Sequence, residues 1–278
     1  MSTMLKRISE VAAGALVEKA SCLSDVLEGL GSVLVAFSGG VDSSLLLAAA
    51  LEACQGRVVA VTASSPTYPR RELAGARQIA SLVGAQHEVV RTRELEDPKF
   101  RLNPVDRCYH CKRDLFLKLK QIARERGLAS VIEGSTVDDL SDYRPGERAL
   151  RELGILSPLR QADFTKADVR QLSRLIGLPN WDRAAAACLA SRFPYGTEIT
   201  REALLRTERV EDALLKMGFS QVRARYHGDL VRIEIEPQGL EAACGEQTRD
   251  KIVQVARREG FRFVTLDLQG YRMGSLNP

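Results

Sequence analysis

A chain of 278 residues, 45% hydrophobic and 27% charged, can build one large soluble globular domain or two ordinary ones. Its net charge of +4 is mild and no Lys/Arg block stands out, so nucleic acid is permitted as a partner but not demanded. No run of about 18 apolar residues is present, which excludes a membrane-spanning helix from the reading.

Residues 1–30 read as one or two helices. Glu10 and Glu18 interrupt their apolar pattern, so a signal peptide is not expected. Val33–Phe37 (VLVAF) is a short apolar run, the pattern of a buried parallel strand, and a helix pattern follows from Ser43 to about Ala53. Arg57–Thr62, His87–Val90 and Ser130–Glu133 read as three further strands. Helices are expected at Glu72–Gly84, with Leu73, Ile79, Leu82 and Val83 on the apolar face, and at Asp114–Gly127. Residues 91–113 carry Pro98 and Pro104 and read as a loop. Leu153–Leu159 and a helix at Lys166–Ile176 complete a first domain, assigned to residues 1–195. Alternating strands and helices of these lengths predict an α/β fold with a doubly wound parallel sheet. Ligands of such sheets sit beyond the C-terminal ends of the strands, where Ser38–Ser44, Thr62–Ser65 and Gly134–Asp139 fall.

The first of these strand ends is Ser38-Gly39-Gly40-Val41-Asp42-Ser43-Ser44. Two glycines let backbone N–H groups approach an anion closely, and the helix N-terminus adds a partial positive charge. Ser38, Ser43 and Ser44 bring hydroxyls to the same nest, and Asp42 can orient a metal. No lysine follows the glycines, so this is not the Walker pattern. Strand, SGGxDS and helix together resemble the PP-loop of ATP pyrophosphatases, which cleave ATP between the α and β phosphates and hold the pyrophosphate. Thr62 and Ser64 fall where that superfamily lines the adenine and ribose, although a simple turn would read the same. Asp138, Asp139 and Asp142, beside Tyr143, Arg144 and Arg148, suit a ligand, a metal or a solvated loop.

Residues 196–278 read as a small α+β domain. Thr200–Gly218 is a capped amphipathic helix with Leu204, Leu205, Val210, Leu214 and Leu215 on its apolar side. In Gln221–His227, Val222, Ala224 and Tyr226 alternate with Arg223, Arg225 and His227. In Leu230–Glu236, Val231, Ile233 and Ile235 alternate with Arg232, Glu234 and Glu236, so period two gathers the charges on one face. A helix near 247–258 and a strand at Phe261–Leu268 follow. The charged face is either the ordinary wet side of an antiparallel sheet or a site for a phosphorylated substrate. In the second case Arg223 and Arg225 would hold phosphate and Glu234 or Glu236 a divalent metal.

Six cysteines in a chain this long make no disulfide framework and point to a reducing cytoplasm. Cys22, Cys54 and Cys244 sit singly in helical patterns and read as buried small hydrophobes. Cys108-Tyr109-His110-Cys111 is a C-x₂-C placed just before a helix. Cys188 lies in ACLASR, between Arg183 and Arg192, an electropositive setting that favours a nucleophilic thiolate. A C-x₂-C can be a zinc half-site, a redox pair or an iron–sulfur half-site. Three thiolates with no evident fourth ligand suit a cluster with one open iron better than a four-ligand zinc, and unligated thiols are the other reading.

SGGVDSS, VTASSP, GSTVDD, DYRPGERA and ACLASRFPYGTEIT, with RARYHGDLVRIEIEP and GYRMGSLN near the end, resemble the LarE-type ATP-dependent sulfur transferases from about residue 10 onward. That resemblance implies a PP-loop ATPase domain followed by a small domain for substrate and oligomerisation, in a cytoplasmic homo-oligomer. It implies ATP and Mg²⁺, and a small phosphorylated substrate, pyridinium-3,5-dicarboxylate mononucleotide, whose carboxylate is adenylated and becomes a thiocarboxylate in nickel-pincer cofactor biosynthesis. It places Arg192, Arg223 and Arg225 on the substrate phosphate and Asp42 in catalysis. In the sacrificial type sulfur would come from Cys188, which becomes dehydroalanine. Cys108 and Cys111 in addition to Cys188 match the family's three-cysteine type. There the three hold a four-iron four-sulfur cluster that carries sulfide from an exogenous sulfur donor, and Cys188 need not be destroyed. Arg183-Ala184 stand where the family pattern has Lys-Pro. Two other readings stay open: a PP-loop tRNA thiolation enzyme, disfavoured by the mild charge, and a non-catalytic ATP- or zinc-binding module.

Overall fold

Four short segments lie side by side as parallel strands: β1 (Val33–Ala36), β2 (Val58–Ser64), β3 (Gln86–Arg91) and β4 (Ser130–Ile132), in the order β3-β2-β1-β4. They belong to a computed structural model that describes residues 14–141, 145–184, 187–272 and 274–276. Residues 1–65, 70–92 and 108–186 form one compact unit; residues 66–69, 93–107 and 187–278 form a second.

In the first unit helices cover both faces of the sheet, as the α/β pattern requires. On one face α1 (Ala15–Leu30), α2 (Val41–Ala53), α3 (Arg70–Leu82) and α6 (Lys166–Leu175) bury Leu23, Leu46, Ile79 and Leu172 with Val35 and Ala60 of the sheet. On the other, α4 (Arg107–Glu125) and α5 (Pro145–Glu152) bury Phe116, Leu119 and Leu150 with Leu34, Val59 and Val131. Successive strand residues feed opposite cores, which is why β1 and the start of β2 read as continuous apolar runs, whereas the edge strand β3 is polar at both ends. Leu156 bridges to Ile132 in parallel and extends the sheet past β4. The expected face of α3 is only partly right: Leu82 is exposed, and Ala76, Ile79 and Ala80 make the contact.

The C-x₂-C does not lie in a loop before the helix. α4 begins at Arg107, so Cys108 and Cys111 occupy its first turns, one helical turn apart on a shared face. No proline follows Pro104 in this stretch, so nothing stops the helix from starting early. Cys54 is buried as expected, whereas Cys22 and Cys244 are exposed.

The second unit holds β5 (Val222–His227), β6 (Leu230–Ile235) and β7 (Phe263–Leu266). β5 and β6 are antiparallel and β6 and β7 parallel, so the sheet is mixed. α7 (Arg201–Lys216) and α8 (Glu246–Arg258) close one face, packing Val210, Leu214, Ile252 and Ala256 on Val222, Ala224, Val231 and Ile233. The charged face is only partly wet: Arg223, Arg225 and Glu234 are buried, Arg232 and Glu236 half-buried and His227 exposed.

Candidate functional site

The phosphate loop of the first unit is built by small side chains at close quarters. Gly39 has φ +70°, and a Cβ there would meet Ala76 Cα of α3 at 2.7 Å, so only glycine fits. Ser43 Oγ accepts from Ser38 N at 3.3 Å, donates to Gly40 O at 3.1 Å and lies 3.1 Å from Ser38 Oγ. Ser38 Oγ in turn accepts from Gly40 N at 3.3 Å. Gly40 is the N-cap of α2 and has no side chain to cap it, which leaves the first-turn amides of Val41, Asp42 and Ser43 available to an anion. Ser44 is buried and accepts from Asn180 Nδ2 at 3.0 Å; the same nitrogen donates to Gly39 O at 3.0 Å. Ser44 therefore braces the loop from beneath.

Asp42 begins an acidic group at the sheet edge. Its Oδ2 pairs with Lys166 Nζ at 2.6 Å, and Lys166 also reaches Asp139 Oδ2 at 3.4 Å. Asp139 is held by Thr136, whose N–H donates to Oδ2 at 2.8 Å, and Asp138 Oδ2 accepts from Lys166 N at 2.6 Å. Burial pushes the Asp42 carboxyl above its ordinary range, against the pull of Lys166, and Asp139 adds to the rise. Asp42 Oδ1 is buried without a hydrogen-bond partner. Gly134 lets the end of β4 approach this corner, since a Cβ there would lie 3.1 Å from Ser43 N. Asp142, Tyr143 and Arg144, expected in the same cluster, lie outside the described residues.

The second-strand assignment needs correction at Thr62. Thr62 is 1% exposed; its Oγ1 donates to Phe37 O at 2.7 Å and lies 2.8 Å from His87 Nε2. Its hydroxyl ties three strands together and does not face a ligand. Ser64, two residues on, is half-buried at the strand end. Arg183 pairs with buried Glu72 at 2.9 Å, and Arg170 Nη2 donates to Arg183 O at 2.9 Å, so this segment is pinned without a proline.

In the second unit Cys188 is exposed and caps a 3₁₀ turn, Leu189–Arg192, its Sγ accepting from Ala190 N at 3.4 Å. Arg192 is not at a substrate phosphate. It is 1% exposed, with Nε on Glu211 Oε1 at 2.7 Å and Nη2 on Oε2 at 3.0 Å. Its Nη1 donates to Ala187 O at 2.9 Å and Cys188 O at 3.1 Å, so it shapes the cysteine turn from inside. Glu211 was invisible in the sequence except as an acid on the apolar side of α7. Among the described residues no three His, Cys, Asp or Glu side chains gather as a metal-binding group.

Arg223 and Arg225 do come together, in a cavity of about 140 Å³ also lined by Arg107, Ala187, Tyr195 and Tyr271. Arg225 donates to Ser191 O at 2.9 Å, Glu234 Oε2 at 2.7 Å and Ser275 Oγ at 2.8 Å, while its buried Nε has no partner. Arg223 lies over the Tyr271 ring at 4.8 Å. Burial, and then Arg192 and Arg225 nearby, hold its guanidinium below the usual range, with Glu211 pulling the other way. The proposed acid ligands are spent on protein. Glu234 is buried between Arg225 and Arg232, and Glu236 accepts from the backbone N–H groups of Ser220 and Gln221, both at 3.0 Å. Neither fits a divalent metal.

Residues 22–123 match the asparagine synthase family model. The chain is 38% identical over 265 residues to the pyridinium-3,5-bisthiocarboxylic acid mononucleotide synthase of Lactiplantibacillus plantarum, covering 94% of this chain and 95% of that one. It is 44% identical to an uncharacterized protein of Synechocystis, over 89% of this chain and 92% of its length. An uncharacterized protein of Methanocaldococcus jannaschii is 27% identical over 86% of this chain and 90% of its own.

Proposed function

The chain belongs to the LarE-type family of ATP-dependent sulfur transferases, and from that membership we propose how its own residues divide the work. It is an ATP-dependent enzyme that forms AMP and pyrophosphate and transfers sulfur to the pyridinium mononucleotide. The observation that carries the assignment of ATP is the uncapped start of α2 beneath the Ser38–Ser44 turn. Its amides bind the departing pyrophosphate, while a substrate carboxylate attacks the α-phosphorus to give an acyl-adenylate.

Asp42 Oδ1, buried and unpartnered, with Asp139 beside the shared Lys166, fits a magnesium ion held by one or two carboxylates and phosphate oxygens. When bound, that ion neutralises charge on the pyrophosphate leaving group. The first compact unit serves ATP and the second the acceptor, with Arg223 and Arg225 on its phosphate.

For sulfur, Cys188 is the delivering residue. As a sacrificial donor, its thiolate attacks the acyl carbon and AMP leaves with the bonding pair. Loss of the Cα proton and cleavage of the Cβ–S bond then give thiocarboxylate and dehydroalanine. With Cys108 and Cys111 it offers three thiolates, a donor set that fits a four-iron four-sulfur cluster with one open iron. Such a cluster, when bound, would supply sulfide from a sulfur donor and spare Cys188. The support for that version is the sequence pattern, since Cys108 and Cys111 belong to one unit and Cys188 to the other. The reducing cytoplasm suits either version.

The test is the full chain, purified without oxygen, incubated with ATP, magnesium and the dicarboxylate mononucleotide. AMP and pyrophosphate are expected in equal amounts with a thiocarboxylate product. Cys188→Ala should still form AMP but no thiocarboxylate. ATP consumed with tRNA and not with the mononucleotide would overturn the reading. The mass at Cys188 and the iron content then choose the sulfur source.

A further inference from the structure

The cavity that holds Arg223 and Arg225 has a third cationic wall, Arg107. Arg107 is 6% exposed, its Nη1 donates to Asn103 Oδ1 at 2.7 Å, and its guanidinium lies 4.7 Å from the centre of the Tyr195 ring. Asn103 is itself fixed: its Nδ2 donates to Pro194 O at 2.7 Å, so the arginine is positioned through a buried amide. Arg107 pairs with no carboxylate among the described residues. Buried Glu211 and Glu234 of this unit are already committed, Glu211 to Arg192 and Glu234 to Arg225. A buried guanidinium without a counter-charge is costly, and an arriving anion relieves the cost.

A second observation points the same way. Arg225 is buried and lines the same cavity, and its Nε has no partner. The volume, about 140 Å³, leaves room for a phosphate group beside the arginines. A phosphomonoester carries close to two negative charges and three acceptor oxygens at neutral pH. Arginine forks match such oxygens in pairs.

We propose that Arg107 is the third arginine ligand of a phosphomonoester in this cavity, and the residue that makes the enzyme select a phosphorylated acceptor over the matching nucleoside. The proposal rests on the reading of Arg223 and Arg225 as phosphate ligands and adds the specificity residue to it. Tyr195 lies against the guanidinium and Asn103 takes one of its N–H groups, so the fork is fixed where it lines the cavity.

Titration of the full-length protein with inorganic phosphate tests it directly. Arg107→Gln keeps a hydrogen bond to Asn103 and removes the charge; Arg107→Lys keeps the charge and removes the fork. Phosphate affinity should fall at least about tenfold in Arg107→Gln and recover in part in Arg107→Lys. With the mononucleotide as acceptor, KM should rise by a similar factor in Arg107→Gln with kcat less affected, while the dephosphorylated nucleoside shows no such rise. ATP affinity should not change. Equal phosphate affinity in wild type and Arg107→Gln overturns the proposal, as does no phosphate binding by the wild type. A purely structural arginine would lower the melting temperature of both variants alike and leave the phosphate affinity of the folded fraction unchanged. If phosphate binding depends on Arg107 but no thiocarboxylate forms from the mononucleotide, the anion site stands and the functional reading fails.

Discussion

The Lys166 ammonium sits 2.6 Å from Asp42 Oδ2, so the phosphate-loop carboxylate is already engaged by a cation from the first turn of α6. The far oxygen of Asp42 has no partner, and Lys166 also reaches Asp139. An entering magnesium ion would complete what Lys166 half supplies. Lys166→Ala should cost about 1 kcal/mol in metal-free buffer, because the pair is partly exposed, and regain part of it as magnesium is added. Asp42→Asn should lose the magnesium response and at least about a hundredfold of AMP formation. Melting curves in chelator and in magnesium check both; an unchanged magnesium response in Asp42→Asn removes Asp42 from the metal's neighbourhood.

Gly39→Ala tests the loop's backbone. The φ of +70° disfavours any Cβ, and that atom would sit 2.7 Å from Ala76 Cα, a backbone atom of α3 that cannot rotate away. A loss of roughly 1–3 kcal/mol is expected, together with loss of ATP binding. Chemical denaturation and nucleotide titration read the two effects separately. An alanine variant with normal stability would show that the loop relaxes at little cost.

The nest was legible because glycines and hydroxyls at one strand end have few other uses. Its supports were not. Asn180, which holds Gly39 and Ser44 together, lies 136 residues beyond Ser44, and no local pattern marks it. The strand alternation correctly separated Arg223 and Arg225 from Val222 and Ala224. It could not show that these arginines would be buried, because period two describes faces and not what covers them. Thr62 illustrates the same limit: a threonine at a strand end has one hydroxyl, and only the neighbouring strands decided that Phe37 O would take it. The helix start at Arg107 was missed because Pro98 and Pro104 made the whole stretch look like a loop.

Asp168 should make the first unit acid-sensitive. It closes a capping box with Thr165 and accepts from Lys19 Nζ at 2.8 Å. Burial raises its carboxyl, but the Lys19 and Thr165 hydrogen bonds outweigh that, and the net shift is downward from 3.8. A carboxylate with a depressed folded pKa stabilises the protein above its unfolded value, and the gain is lost as pH falls through the folded value. Asp168→Asn should therefore cost about 1 kcal/mol at pH 7, with the difference from wild type closing only below the unfolded value near 3.8. Melting temperatures of the two proteins across that acid range are the measurement; a constant gap would exclude ionisation as the cause.

Glu211 carries the last expectation. It is 0% exposed, holds Arg192 through both oxygens and accepts from Ala224 N at 3.1 Å on the edge strand β5. Arg192 in turn bonds the carbonyls of Ala187 and Cys188. Removing one charge of a buried pair leaves the other uncompensated, so Glu211→Gln should cost roughly 3–5 kcal/mol. Replacing both residues by apolar ones, Glu211→Leu with Arg192→Met, removes both desolvation costs and should cost less than the single change. The two variants then separate stability from shape. The double variant keeps a folded second unit but loses the bonds that hold the Cys188 turn, so alkylation of Cys188 should change rate while the melting temperature largely recovers. A double variant less stable than Glu211→Gln would mean that the pair holds the fold itself. An unchanged alkylation rate in the folded double variant would mean that Arg192 does not set the reactivity of Cys188.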